Sequence, residues 1–140
     1  WKTAEKVRFI MDEFYTDRPD GIIGNEDCGQ MSAWYVHSSM GLYQVNPWDG
    51  VFVFGSPCFK KVEMKVRGGK TFTVEAPNNN KENIYIQKVY LNGKPYNKSY
   101  IIYDDIINGS TLKFLMGKKP NKNFGKAPAN RPVVLNKINE

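Results

Sequence analysis

The hydrophobic positions of this chain change their period near residue 41, from a helical spacing before it to a strict alternation after it. Val7, Ile10, Met11 and Phe14 recur at helical spacing, so Thr3 to Tyr15 reads as an amphipathic helix with Thr3 as its cap and Glu5 in its first turn. Asp17-Arg18-Pro19-Asp20-Gly21 ends it, because proline and glycine together demand a turn. A second helix is predicted from about Cys28 to Met40, with Met31, Trp34, Tyr35, Ser38 and Leu42 on one stripe and Gly41 as its terminator. Two short helices joined by a loop cannot bury their apolar faces against each other alone. They are expected to seek cover on the rest of the chain or on a second copy of it.

Beyond Gly41 the pattern is that of strands. Val51-Phe52-Val53-Phe54 is a continuous apolar run, and Val62, Met64 and Val66 alternate with Lys61, Glu63 and Lys65. Gly68-Gly69 turns this strand into Thr71-Phe72-Thr73-Val74, followed by Ile84-Tyr85-Ile86-Gln87 and Val89-Tyr90-Leu91. Asn92-Gly93 is a strong hairpin dipeptide. Ser99 to Tyr103 and Leu112 to Met116 complete the set. Short strands at regular spacing, separated by Gly, Asn and Pro turns, predict an antiparallel β-sandwich and a mainly β fold. The break between halves falls near residues 44–50, giving residues 1–45 and 46–140 as the expected units. The last fifteen residues, rich in Lys, Asn and Pro, read as a loosely held tail, with Pro132-Val133-Val134-Leu135 as a candidate edge strand.

Composition refines this picture. With 140 residues, 41% hydrophobic and 14% aromatic, the chain can build a respectable core and is globular rather than disordered. No apolar run approaches the ~18 residues a membrane span needs. No signal peptide opens it, and a start at Trp1 rather than Met is expected to mean that the native beginning is missing, so localisation is not legible in this segment. The net charge of +6 is uneven: residues 1–59 hold 4 Lys and Arg against 8 Asp and Glu, and residues 60–140 hold 16 against 6. A basic half interleaved with aromatics could serve a nucleic-acid module, but lysines alternating with apolar residues read as the outer face of half-buried strands, and no nucleic-acid partner is expected. Two cysteines make neither a disulfide framework nor a metal spacing.

The chemistry-bearing stretch is Gly24-Asn25-Glu26-Asp27-Cys28-Gly29-Gln30, two adjacent carboxylates at the end of a glycine-punctuated loop just before a helix. Asp27-x-x-Gln30 has the form of a capping box, with Asp27 as N-cap. Unpaired backbone N–H groups and the helix dipole favour its ionised form, which suits a general base better than a general acid. The pattern is equally that of a helix cap with no chemistry at all. Cys28 and His37 stand nine residues apart, ~900° around a helix, and so face opposite sides of it, which argues against a Cys–His nucleophile. One His and two distant Cys make no zinc cluster, and the glycines around Gly21 and Gly24 lack the context of a phosphate loop.

Gly24 to Val36 of this stretch, with Ser38, Gly41 and Tyr43 after it, resembles the signature of the calcium-dependent exo-acting α-mannosidases of glycoside hydrolase family 92. Gly55-Ser56-Pro57-Cys58-Phe59, Asn83-Ile84-Tyr85-Ile86-Gln87 with Leu91-Asn92-Gly93-Lys94-Pro95-Tyr96, and Met116-Gly117 with Pro120-Asn121 and Phe124-Gly125 resemble the C-terminal end of that family. The likeness runs from about residue 7 to residue 125. It implies an N-terminal β-sandwich and an (α/α)6 barrel upstream, with residues 1–45 as the last piece of the barrel and residues 46–140 as a C-terminal sandwich.

The resemblance also implies an inverting reaction in which a glutamic acid protonates the leaving oxygen, an aspartate of this motif activates water, and calcium helps distort the mannose ring. Asp27 aligns with that base, and Asn25, Glu26 and Gln30 are the expected supporting or substrate-binding residues. Asn25 stands where many members have another aspartate, His37 where Phe is common, and Phe124 where Trp is common. The general acid and most sugar and calcium contacts are expected upstream of Trp1, and the calcium ligands are not identified in this chain. The expectation is thus the C-terminal portion of an inverting exo-α-mannosidase of α-1,2 type acting on mannose-containing glycans, inactive by itself, periplasmic or secreted in a bacterium, and prone to self-associate. The alternative is a stand-alone carbohydrate-binding sandwich, with Trp34, Trp48, Tyr85 or Phe124 stacking on sugar; a nucleic-acid module is third.

Overall fold

The computed structural model describes residues 1–132. Helix α1 spans Lys2–Phe14 and helix α2 Gln30–Ser39, and eight strands follow: β1 Leu42–Tyr43, β2 Val51–Phe54, β3 Lys61–Lys65, β4 Thr71–Glu75, β5 Tyr85–Leu91, β6 Lys94–Pro95, β7 Tyr100–Ile102 and β8 Thr111–Gly117. A one-turn helix, α3, Tyr103–Ile107, joins β7 to β8. The strands form a three-stranded sheet of order β1-β2-β7 and a five-stranded sheet of order β3-β4-β8-β5-β6. Phe52, Phe54 and Ile101 of the first sheet share one core with Phe72, Val74, Ile86, Val89, Leu112, Phe114 and Met116 of the second. Phe54 meets Phe114 edge to face, ring centroids 5.1 Å apart. Each large side chain buried there contributes about 1.5–3 kcal/mol.

The mainly β sandwich is therefore present, with one departure from antiparallel pairing. β4 and β8 run parallel, Val74 opposite Leu112. The intervening β5, β6, β7 and α3 supply the long crossover that a parallel pair requires. The alternation is clean where it was expected: in β8 Leu112, Phe114 and Met116 are buried and their neighbours half-exposed, and in β3 Lys61, Glu63 and Lys65 stand in solvent. The two runs at 84–87 and 89–91 are one strand interrupted by a bulge at Gln87, whose side chain leaves the ladder to donate to the Lys119 carbonyl at 2.9 Å. Asn92 and Gly93 both take positive φ, 51° and 77°, as a two-residue hairpin between β5 and β6 requires.

Several expectations are corrected. Thr3 does not cap α1: the N-cap is Trp1 and no side chain bonds there. The buried face of α1 is Ala4, Arg8 and Met11, rotated away from Phe14, which stays exposed. Leu42 leaves the helical stripe and enters β1, pairing with Phe54. Tyr103 begins α3 rather than ending a strand. Lys126 to Arg131 is not loose: Asn130 accepts bonds at its carbonyl from the Ser99 amide (2.8 Å) and hydroxyl (3.0 Å), and the Arg131 guanidinium donates to the Lys126 carbonyl. The candidate edge strand lies, from Val133 onward, outside the described residues.

The helices find their cover on the sandwich. The Arg8 guanidinium donates to the Pro57 carbonyl at 2.9 Å, and the Tyr85 hydroxyl donates to the Glu5 carboxylate at 2.7 Å. α2 ends where Gly41 adopts φ +84° and packs against Pro57. A β-carbon at Gly41 would lie 2.9 Å from Pro57 Cδ and 3.1 Å from its nitrogen. The left-handed backbone alone costs an L-residue ~1–2 kcal/mol, and the clash adds to it. Gly41→Ala should therefore lower stability by roughly 2 kcal/mol or more, read as a shift of the urea midpoint at unchanged slope. An unshifted midpoint would mean that this junction does not hold the helices to the sandwich.

Candidate active site

The acidic loop begins where α1 stops. The Tyr15–Ile22 bridge, with Thr16 N–H donating to the Gly21 carbonyl (2.9 Å) and Gly21 N–H to that of Arg18 (2.9 Å), closes Tyr15 to Ile22 into a compact turn. The Tyr15 ring lies against Trp34 (5.6 Å) and Tyr35 (4.8 Å) of α2, so the turn rests on the helix that the loop precedes. Burial first, then the neighbouring Glu26 charge, raises the Tyr15 phenol above its usual pKa. A cleft of about 460 Å³ opens beside this cluster, lined by Tyr15, Asp17, Ile22, Ser32, Tyr35 and Val36 among others.

The cap at the head of α2 is not the one predicted. Asp27 opens a 3-10 turn, Asp27–Gly29, in which Cys28 (φ 55°) and Gly29 (φ 76°) are successively left-handed; Gly29 becomes the N-cap and has no side chain to offer. Glu26 supplies the missing acceptors. Its carboxylate takes the Met31 N–H at 3.0 Å, the Ser32 N–H at 3.2 and 3.0 Å, and the Ser32 hydroxyl at 2.9 Å. The Asp27–Gln30 capping box is therefore not formed: Asp27 contributes only its backbone carbonyl, to the Gln30 N–H. Among the described residues, the side chains of Asn25, Asp27 and Gln30 accept and donate no hydrogen bond, and all are exposed.

Such an arrangement can do one kind of chemistry. A free, exposed carboxylate at a fixed turn can take a proton from water, whereas a carboxylate whose oxygens already accept three donors is a structural group. The structure thus separates the adjacent acids Glu26 and Asp27. His37 faces the sandwich, its ring 6.4 Å from that of Phe52, while Cys28 is exposed, so the two do not meet. Among the described residues no group of three or more His, Cys, Asp or Glu converges on a point. Of the candidate sugar-stacking rings, Trp34 is stacked under Tyr15, Tyr85 is held by Glu5, Phe124 packs on the core, and only Trp48 is open, at 94% exposure. Sequence reasoning missed Ser32 and Arg8. A serine at the third position of a helix whose N-cap is glycine could have pointed back to Glu26; nothing in the pattern marks Arg8.

Comparison with known proteins agrees on one family. The profile of the glycosyl hydrolase family 92 catalytic domain matches residues 1–118. An uncharacterized secreted glycosidase of Arthroderma benhamiae is 35% identical over 120 residues, a match covering 84% of this chain and 16% of that protein. The structure of a family GH92 α-mannosidase of Bacteroides thetaiotaomicron in complex with mannoimidazole superposes with a TM-score of 0.92 at 40% identity, over 96% of this chain and 18% of the other. That of a family GH92 inverting mannosidase of Bacteroides thetaiotaomicron VPI-5482 gives 0.89 at 41% identity, over 95% and 18%. The chain spans less than a fifth of the length of these relatives.

The two thiols report on the geometry. Cys28 is exposed on the left-handed turn, and Cys58 is half-buried with Arg8 Nη1 3.2 Å from its sulfur. Burial pushes the Cys58 thiol above its usual pKa, an effect opposed by the Arg8 charge. At neutral pH iodoacetamide should label Cys28 well ahead of Cys58, and denaturant should equalise them. Equal rates in the folded chain would mean that the seam between α1 and the sandwich opens freely.

Proposed function

The chain belongs to glycosyl hydrolase family 92, and from that premise we propose that it is the C-terminal portion of an inverting exo-α-mannosidase that removes terminal, α-1,2-linked mannose from glycans. Asp27 is the general base. The observation that carries this is the contrast between neighbours: Glu26 spends its carboxylate on the head of α2, and Asp27 is left free on the turn that this cap closes. An inverting glycosidase needs a second carboxyl group ~6.5–9.5 Å from the base, with a water between base and sugar. Glu26 cannot be that acid while its oxygens accept the α2 amides; on this reading the acid comes from outside this chain.

On this reading the two helices complete a helical barrel, and the sandwich behind them begins at β1, Leu42–Tyr43, a few residues before the boundary expected at 46. Calcium is expected from the family, but the described residues do not make a cage for it. Calcium takes six to eight oxygen ligands, the described residues bring no three acidic groups together, and Glu26 is engaged. A secreted enzyme is the reading that the Arthroderma relative supports, and among the described residues no helix is long and apolar enough to cross a membrane.

Asp27→Asn in the full-length parent should lower turnover of α-1,2-mannobiose by ~10²–10⁴-fold, the usual worth of a positioned acid or base. The fold should survive, since the Asp27 side chain holds nothing in place. Azide should restore turnover and yield the β-mannosyl azide. Near-normal hydrolysis by the variant would sink the assignment.

The chain alone, assayed with calcium on p-nitrophenyl α-mannoside, should be inactive, and hydrolysis there would mean that it carries a complete site. Its exposed Phe9, Phe14, Ile22, Ile23 and Val36 should also drive self-association at high concentration, visible by light scattering; a species monomeric at every concentration would show that these residues do not pair.

A further inference from the structure

We infer that Glu26 is a positioning residue for the reaction, one that fixes the Asp27 carboxylate by tying the turn that bears it to helix α2; this rests on Asp27 acting as the base. The Glu26 side chain reaches forward over residues 27–30 to the Met31 and Ser32 amides and the Ser32 hydroxyl, at 2.9–3.2 Å. Its own main chain continues directly into Asp27. Side chain and backbone therefore close a small ring, and Asp27 is the first residue inside it. The Asp27 carbonyl accepts the Gln30 N–H, which crosses the same ring.

Ordinary capping does not need this. A Ser, Asp or Asn at the N-cap position would satisfy the same amides locally, yet that position is Gly29, and the acceptors come from the neighbour of Asp27 instead. The route requires Cys28 to sit at φ 55°, a conformation uncommon for a residue with a β-carbon. Strain of that kind persists where the surroundings over-determine the turn, and here four hydrogen bonds to one carboxylate do so. The tie reaches further, because the other end of α2 is locked to the sandwich where Gly41 packs on Pro57. Asp27 is thereby referenced to the rigid part of the molecule through Glu26 and one ten-residue helix.

The test uses the full-length parent and five proteins: the native enzyme, Glu26→Ala, Glu26→Gln, Asp27→Asn and the double variant Glu26→Ala/Asp27→Asn. Loss of the tie should lower kcat by ~10–100-fold with little change in KM, the effect of misplacing a catalytic group by about 1 Å. Gln keeps an oxygen that can accept the backbone amides, so Glu26→Gln should recover most of that loss. In the Asp27→Asn background Glu26→Ala should change residual turnover by less than about twofold, since no carboxylate is left to misplace. Hydrogen exchange over residues 24–35 should loosen in Glu26→Ala while the sandwich peptides stay protected, which separates a freed turn from a misfolded protein. An equal further loss in both backgrounds would overturn the positioning role and leave Asp27 as the base, as would a Glu26→Ala enzyme with native kcat. Near-native turnover by Asp27→Asn alone would overturn the base reading and the positioning role with it.

Discussion

The helical half is tied to the sandwich mainly through one short loop, Gly55-Ser56-Pro57-Cys58, between β2 and β3. The Pro57 ring fills the space that a side chain at Gly41 would take, and the Pro57 carbonyl receives Arg8 from α1. Gly55 N–H donates to the Gly41 carbonyl at 3.0 Å and Cys58 N–H to that of Ser39 at 2.8 Å, so the last turn of α2 is hydrogen-bonded to the same four residues. The Ser56 hydroxyl, fully buried, donates to the Ile84 carbonyl and holds the loop to the chain entering β5. Helices too short to be stable in isolation acquire fixed positions because both meet this loop.

The least expected member of that junction is a buried cation. Arg8 is 7% exposed, its neighbours are a backbone carbonyl and a thiol, and its Nε has no partner among the described residues. Taking a guanidinium out of water costs several kcal/mol unless good hydrogen bonds and packing offset it. The offset here is geometric: the guanidinium satisfies a carbonyl that a proline-containing turn would otherwise leave without a donor, and its stem joins Ala4 and Met11 in the seam. Arg8 thus acts as a specific key for docking α1, where an apolar residue would pack but leave the Pro57 carbonyl unpaired.

The parts of the fold written in the sequence are those set by short-range rules. Alternation in β3, β4 and β8, the Asn92-Gly93 turn and the Gly41 terminator are each decided by a few neighbouring residues, and each is where the pattern puts it. What escaped was decided at a distance. The two-residue strand β1 exists only because Leu42 and Tyr43 meet Phe54 and Val53. The parallel pairing of β4 with β8 depends on the crossover between them, and five residues of α3 are too few to display a helical period. At the site, the acidic pair was legible but its division of labour was not. The box pattern assumes ordinary φ at the two residues after Asp27, and two left-handed residues in succession hand the cap to Glu26 instead.

The two faces of the molecule also differ. The outer surface of the large sheet is a solvated one, with Lys61, Glu63 and Lys65 in water. Around the acidic turn the apolar Ile22, Ile23 and Val36 are exposed beside the polar residues of the loop, as is the edge-to-face pair Phe9 and Phe14 on α1. Clustered exposed apolar side chains mark a surface suited to being covered, and these lie on the same helix–loop–helix half as Asp27. The base of an inverting glycosidase works on one held water, with its partner acid opposite and bulk solvent kept out. The half that carries Asp27 is therefore suited to being enclosed, while the sandwich, with its one shared core, is suited to holding it still.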